Sequence, residues 1–132
     1  MSLNPESSFA QTDLATIDLL EGNFEAARIA FQRGGANWDR IGSALIEHGL
    51  GHKDAAQEAL NTLIAKDADG AAYQIAEVFA WRGESDRAFE WLDRAYRQHD
   101  GGLANLATDP LLKSLHTDAR YVAFRKKMGL AQ

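Results

Sequence analysis

The stretch "AYQIAEVFAWRGESDRAFEWLDRAY", residues 72–96, decides how the rest of the chain is read. Phe89, Leu92 and Tyr96 follow the three-to-four step of an apolar helix face, and so do Leu14, Ile17, Leu20 and Phe24 near the start of the chain. Small residues at Ala76, Gly83, Ala88 and Ala95 stand among aromatics that would each fill more room. One alanine on each of two helices lets their backbones approach closely, and a glycine between them makes the tight turn. Residues 72–96 therefore read as a helical hairpin in which the small residues are packing devices and not a ligand cradle.

The same spacing occurs three times. Gly22, Gly51 and Gly83 each precede an alanine by five residues (Ala27, Ala56, Ala88), and a large apolar residue follows four later (Phe31, Leu60, Leu92). Seven residues before each glycine stands another alanine: Ala15, Ala44 and Ala76. The intervals between the glycines are 29 and 32 residues. Recurrence of this kind is the mark of stacked helical hairpins, each burying its apolar face against the next. Glycine-bearing breaks divide the chain into helices over roughly 8–21, 24–33, 37–49, 53–66, 71–82 and 86–98, with shorter helical pieces near 110–115 and 118–128. No alternation of period two is present, so no strand is expected. Asp54, Asp86 and Asp118 are placed to cap or oppose the dipoles of helix starts.

Composition narrows the function classes. With 132 residues, 45% hydrophobic and 25% charged, the chain is neither a disordered tail nor a membrane protein. A net charge of −5 with scattered Lys and Arg disfavours a nucleic-acid surface, and the absence of cysteine excludes disulfides and thiolate chemistry. "MSLNPESSF" has no apolar leader, which fits a cytoplasmic protein, and residues 1–7 are expected to be a disordered N-terminus or a cloning scar.

The repeated units resemble tetratricopeptide repeats. The third matches best, with Ala76, Phe79, Gly83, Ala88, Leu92 and Ala95 at the family's spacing. The second has Glu47 where an aromatic belongs and Leu63 for the last small residue; the first has Asp18 and Gly34 at those places. Both intervals are shorter than the family's ~34 residues, and no unit ends in the usual proline. The resemblance implies an all-α, right-handed stack of three hairpins over residues 8–100, with capping helices over 101–132. The ending, with "DPLLKSL" (109–115) and "DARYVAFRKKMGL" (118–130), resembles the C-terminal repeat region of bacterial signalling proteins, where such repeats follow a nucleotide cyclase or a winged-helix regulator.

Other constellations carry less. His48 and His52 have metal-ligand spacing, but Gly49 and Gly51 interrupt any shared helix face, and no metal or cofactor is expected. "DADG" (67–70) and "DGG" (100–102) lack the glutamate that closes a calcium loop, "RGGAN" (33–37) follows no strand, and no hydrolase motif is found. The acidic residues Glu84, Asp86, Glu90 and Asp93 read as an outer face of solvated pairs with Arg87, Arg94 and Arg97. No catalytic residue is therefore assigned.

In the tetratricopeptide frame, Trp38, Ile41, Leu45, His48, Tyr73, Glu77 and Trp81 line a concave groove, with Thr12, Thr16 and Leu19 from the first unit, while Trp91 belongs to the core. The expected function is a non-catalytic protein–protein interaction module. Its apolar anchors are Trp38, Ile41, Leu45, Tyr73 and Trp81, and its polar selectors are Glu77 and His48. Tyr73 and Glu77 replace two of the residues by which the family holds a C-terminal carboxylate. The alternatives are a self-association or structural module attached to an upstream signalling domain, and a groove filled by the chain's own N-terminus or tail.

Overall fold

The computed structural model describes residues 8–129; residues 1–7, the expected disordered or scar segment, and 130–132 lie outside the described residues. Every element among them is helical: α1 (Ser8–Leu20), α2 (Phe24–Arg33), α3 (Ala36–Gly49), α4 (Lys53–Asp67), α5 (Ala72–Trp81), α6 (Ser85–Arg97), two 3-10 segments (Gly101–Asn105 and Pro110–Leu115) and α7 (Ala119–Lys127). The chain is thus all-α, and the helix ends fall within a residue or two of those expected. It divides into two compact units, residues 1–66 and 67–132.

One turn geometry serves three times. Gly22, Gly51 and Gly83 take φ of 81°, 82° and 78°, the left-handed region in which a side chain is strained. In each case the glycine N–H donates to the carbonyl three residues back, and the next residue's N–H donates five back. The pairs are Gly22 to Leu19 (3.1 Å) and Asn23 to Asp18 (2.8 Å), Gly51 to His48 (3.0 Å) and His52 to Glu47 (2.9 Å), and Gly83 to Ala80 (3.0 Å) and Glu84 to Phe79 (2.9 Å). These bonds satisfy carbonyls that a helix end would otherwise leave open. The alanines that flank the turns in sequence, Ala15 and Ala27, Ala44 and Ala56, Ala76 and Ala88, are all buried.

In the first unit α1 packs on α2 and α2 on α3. Close approach in the second pair depends on Gly42, where a Cβ would stand 2.5 Å from the Cβ and Cγ of Phe31. Glu47 ties the unit together electrostatically. It accepts from Arg28 of α2 (3.1 Å) and pairs with His52 Nδ1 beyond the turn (2.7 Å). Those two partners, His52 foremost, hold its carboxyl below the ordinary value.

In the second unit α5 is the central element, packed on α6 and on both 3-10 segments. Only Gln74, Glu77 and Trp81 of its residues escape full burial. The first 3-10 segment stands where two glycines, Gly101 and Gly102, give no local signal of a helix. It forms because Asp100 accepts from Gly102 N–H (2.8 Å) while Leu103 and Leu106 go into the core. The two later tail elements start the same way: Asp109 accepts from Leu111 N–H (3.0 Å) and Asp118 from Arg120 N–H (2.9 Å). The tail therefore advances in steps of nine residues, each an aspartate cap with apolar residues three and six places on: Leu103 and Leu106, Leu112 and Leu115, Tyr121 and Phe124. All six are buried. A three-residue spacing suits 3-10 turns, whose side chains at i and i+3 lie one above the other.

Candidate functional site

The seven residues singled out in the sequence fall in both units. On α3, Trp38 is half-buried against Gly34, where a Cβ would meet the indole's own Cβ at 2.9 Å; His48 is also half-buried, while Ile41 and Leu45 lie in the core. On α5, Trp81 and Glu77 are half-buried and Tyr73 is 1% exposed. The side chain of Thr12 lies outside the described residues; Thr16 is half-buried and Leu19 is core. Of the seven, Tyr73 and Glu77 stand one turn apart on α5, and Tyr73 is hydrogen-bonded to the cluster that the tail supplies.

That cluster lies where the tail meets α5. Helix α5 begins after Ala71, which has no side chain able to cap it. Asp100, well beyond the helix in sequence, supplies the acceptor: its Oδ2 receives the Tyr73 N–H at 3.1 Å while its Oδ1 holds Gly102. The Tyr73 ring lies flat against Gly102, where a Cβ would come within 2.9 Å of three ring and stem atoms. The phenol O–H then donates to Oδ2 of buried Asp109 at 2.6 Å. One turn on from Tyr73 stands Glu77, which is half-buried. Ser114 Oγ completes the seam by donating to the Ala80 carbonyl at 2.9 Å.

The electrostatics follow from burial and like charge. Lost hydration comes first and pushes the Glu77 carboxyl well above the ordinary value, and Asp109 and Asp100 push it further. Tyr73 is raised too, by burial first and then by Glu77 and Asp109, so it stays a neutral donor. Sequence reasoning found Tyr73 and Glu77 but missed Asp100 and Asp109. The nine-residue spacing of Asp100, Asp109 and Asp118 was the signal that could have found them.

The outer face of α6 also differs from its expected form. Its carboxylates reach the tail: Asp86 pairs with Arg120 (2.8 Å) and Asp93 with Lys127 (3.3 Å). Arg120 also stacks on Phe89 at 4.7 Å and Lys127 on Tyr96 at 4.8 Å, so α7 is held by alternating charge and aromatic contacts. Trp91 is buried, as expected, and Arg94 covers it at 4.8 Å. Around it lies a shallow depression of about 400 Å³ bordered by Arg87, Glu90 and Arg97.

Among the described residues no group of three or more His, Asp or Glu side chains could hold a metal ion, and no helix is long and apolar enough to cross a membrane. No protein-family model, curated protein or solved structure matches the chain.

Proposed function

We propose that the chain is a tetratricopeptide-like array, the right-handed stack of three hairpins expected from the sequence, and that it acts as a non-catalytic protein–protein interaction module. The observation that carries this reading is the thrice-repeated glycine turn, with one φ and one hydrogen-bond pattern between buried alanines. A chain that spends its sequence on repeating one connection builds surface in increments, and extended binding faces are the usual use of such surface. The residues offered to a partner are the half-buried ones, Trp38 and His48 on α3 and Trp81 on α5. Partly wet indoles bring a large apolar area and a hydrogen-bond donor to an interface. Ile41, Leu45 and Tyr73 support these positions from within.

The test is affinity capture from host extract with the parent chain and with Trp38→Ala and Trp81→Ala, each shown to be folded by its circular dichroism. A partner held by the parent and lost from both variants supports the reading. A partner retained equally by both removes these indoles from the interface.

One observation favours a second reading, self-association or packing on an attached signalling domain. Leu14 and Ile17 of α1 and Ile29 of α2 are each about half exposed, at 52%, 51% and 50%. Terminal repeats normally turn a polar face outward. Light scattering across a concentration series separates the readings, because mass rises with concentration only if copies associate.

A further inference from the structure

We propose that the outer face of α6 docks an acidic, extended segment of another protein, held by Arg87 and Arg97 at the two ends of the depression over Trp91. The argument starts from how the charges of this helix are used. The acids that the sequence would pair with its arginines are turned to α7: Asp86 meets Arg120 at 2.8 Å and Asp93 meets Lys127 at 3.3 Å. Arg94 is held by Asp69 at 3.1 Å and lies over the Trp91 ring at 4.8 Å, where it forms the middle of the surface. Arg87 and Arg97 are exposed, and neither makes an ion pair or a hydrogen bond among the described residues. In a chain of net charge −5, two guanidiniums are thus left with their donors unused on one helix face.

The chemistry of the occupant follows from the spacing and from what borders the depression. A guanidinium fork matches a carboxylate with two parallel hydrogen bonds. Arg87 and Arg97 stand ten residues apart, about 15 Å along the axis of α6. An extended chain rises about 3.3 Å per residue, so carboxylates four residues apart span nearly that distance. Exposed Glu90 lies between the two arginines, and an acid placed midway would meet its like charge. A nucleic-acid backbone carries a negative charge at every step and is opposed there, whereas a peptide can leave the middle positions uncharged. None of Trp38, His48 and Trp81 lines this depression, so the surface is additional to the residues offered to a partner above.

The experiment titrates two capped synthetic peptides into the nitrogen-labelled full chain and follows the Arg Nε–H and Trp91 indole signals by NMR. One peptide carries two glutamates separated by three uncharged residues; the other has the same composition with the glutamates adjacent. Exposed ion pairs are weak, so the spaced peptide should bind in about the millimolar range, with shifts at Arg87, Trp91 and Arg97. The adjacent-acid peptide should bind less well. Arg87→Gln and Arg97→Gln, both at exposed positions, should each weaken binding about two- to fivefold, while Glu90→Gln should strengthen it. Raising the salt from about 20 mM to about 300 mM should weaken it as well. No shift at these three residues overturns the proposal, and so does equal binding of the two peptides, which would show only a general attraction for anions. Tighter binding of a thymidine oligonucleotide at the same residues would assign the face to nucleic acid instead. A rise in mass with concentration that Arg87→Gln abolishes would assign it to a second copy of the chain. The comparison of the two peptides decides the matter in the parent even if a variant does not fold.

Discussion

His99 occupies the place that glycine holds at the other turns. It closes α6 at φ 57°, with Gln98 N–H donating to Arg94, His99 to Tyr96 and Asp100 to Ala95. This is the pattern of Gly22, Gly51 and Gly83, met here by a residue whose Cβ resists it. Left-handed backbone costs an L-residue roughly 1–2 kcal/mol, and glycine's freer unfolded state returns part of that, so His99→Gly should stabilise by about 0.5–1 kcal/mol. Urea denaturation measures it; a loss of stability would mean that the imidazole makes a contact worth more than the strain. Gly42 poses the opposite case. Ala is the better helix former by about 1 kcal/mol, but its Cβ would collide with the stem of Phe31, which cannot swing aside as a side-chain tip could. We expect Gly42→Ala to cost about 1–2 kcal/mol net. Gly101→Ala, which meets open space without positive φ, should be close to neutral as its control. A neutral Gly42→Ala would mean that α2 and α3 are less tightly apposed than described. At this scale the sequence was legible where residue type and turn geometry coincide, as at the three glycines. It misled on Tyr73, expected as a groove anchor and found buried, because what buries that ring lies beyond Asp100 and no local pattern links them.

Each of the three tail elements carries its own aspartate cap, whereas α2, α3, α5 and α6 have no side-chain cap bond of their own. The repeats lean on packing and the tail leans on carboxylates. Asp118 shows the acid side of this. Arg120, by its guanidinium first and its amide second, holds the Asp118 carboxyl down at about 2 from an ordinary 3.8. A depressed carboxyl contributes above its ordinary value and ceases to as pH falls toward the lowered one. The start of α7 should therefore fray between about pH 4 and pH 2, and Asp118→Ala, which has no acceptor, should fray it already at neutrality. Amide exchange at Arg120 would report both; protection unchanged across that range would deny the cap any part in holding α7. The helices themselves were readable because a glycine follows the end of each within four residues. The first 3-10 segment was not, since its signal is a nine-residue period shorter than the repeat being sought.

For the molecule as a whole, the boundary between compact units falls at Lys66 and Asp67, near the end of α4 and without any shift in composition. A reader of the sequence divides repeats from tail near residue 100; the tail instead belongs with α5 and α6, because its apolar residues close that unit's core. No three potential ligands cluster among the described residues, so neither a chelator nor added zinc should change the melting temperature. A zinc-dependent rise that disappears in His48→Ala would locate a site around His48. The unequal intervals of 29 and 32 residues between glycine turns show that the length of chain between hairpins can vary by three residues without altering the turn. The nine-residue tail allows no such latitude, and it gives the chain something like a reading frame. One residue inserted between Asp109 and Asp118 would displace the second cap from its apolar pair. A duplicated block of nine would instead bring its own cap and its own two core residues, so length changes in this part of the chain should be tolerated in nines.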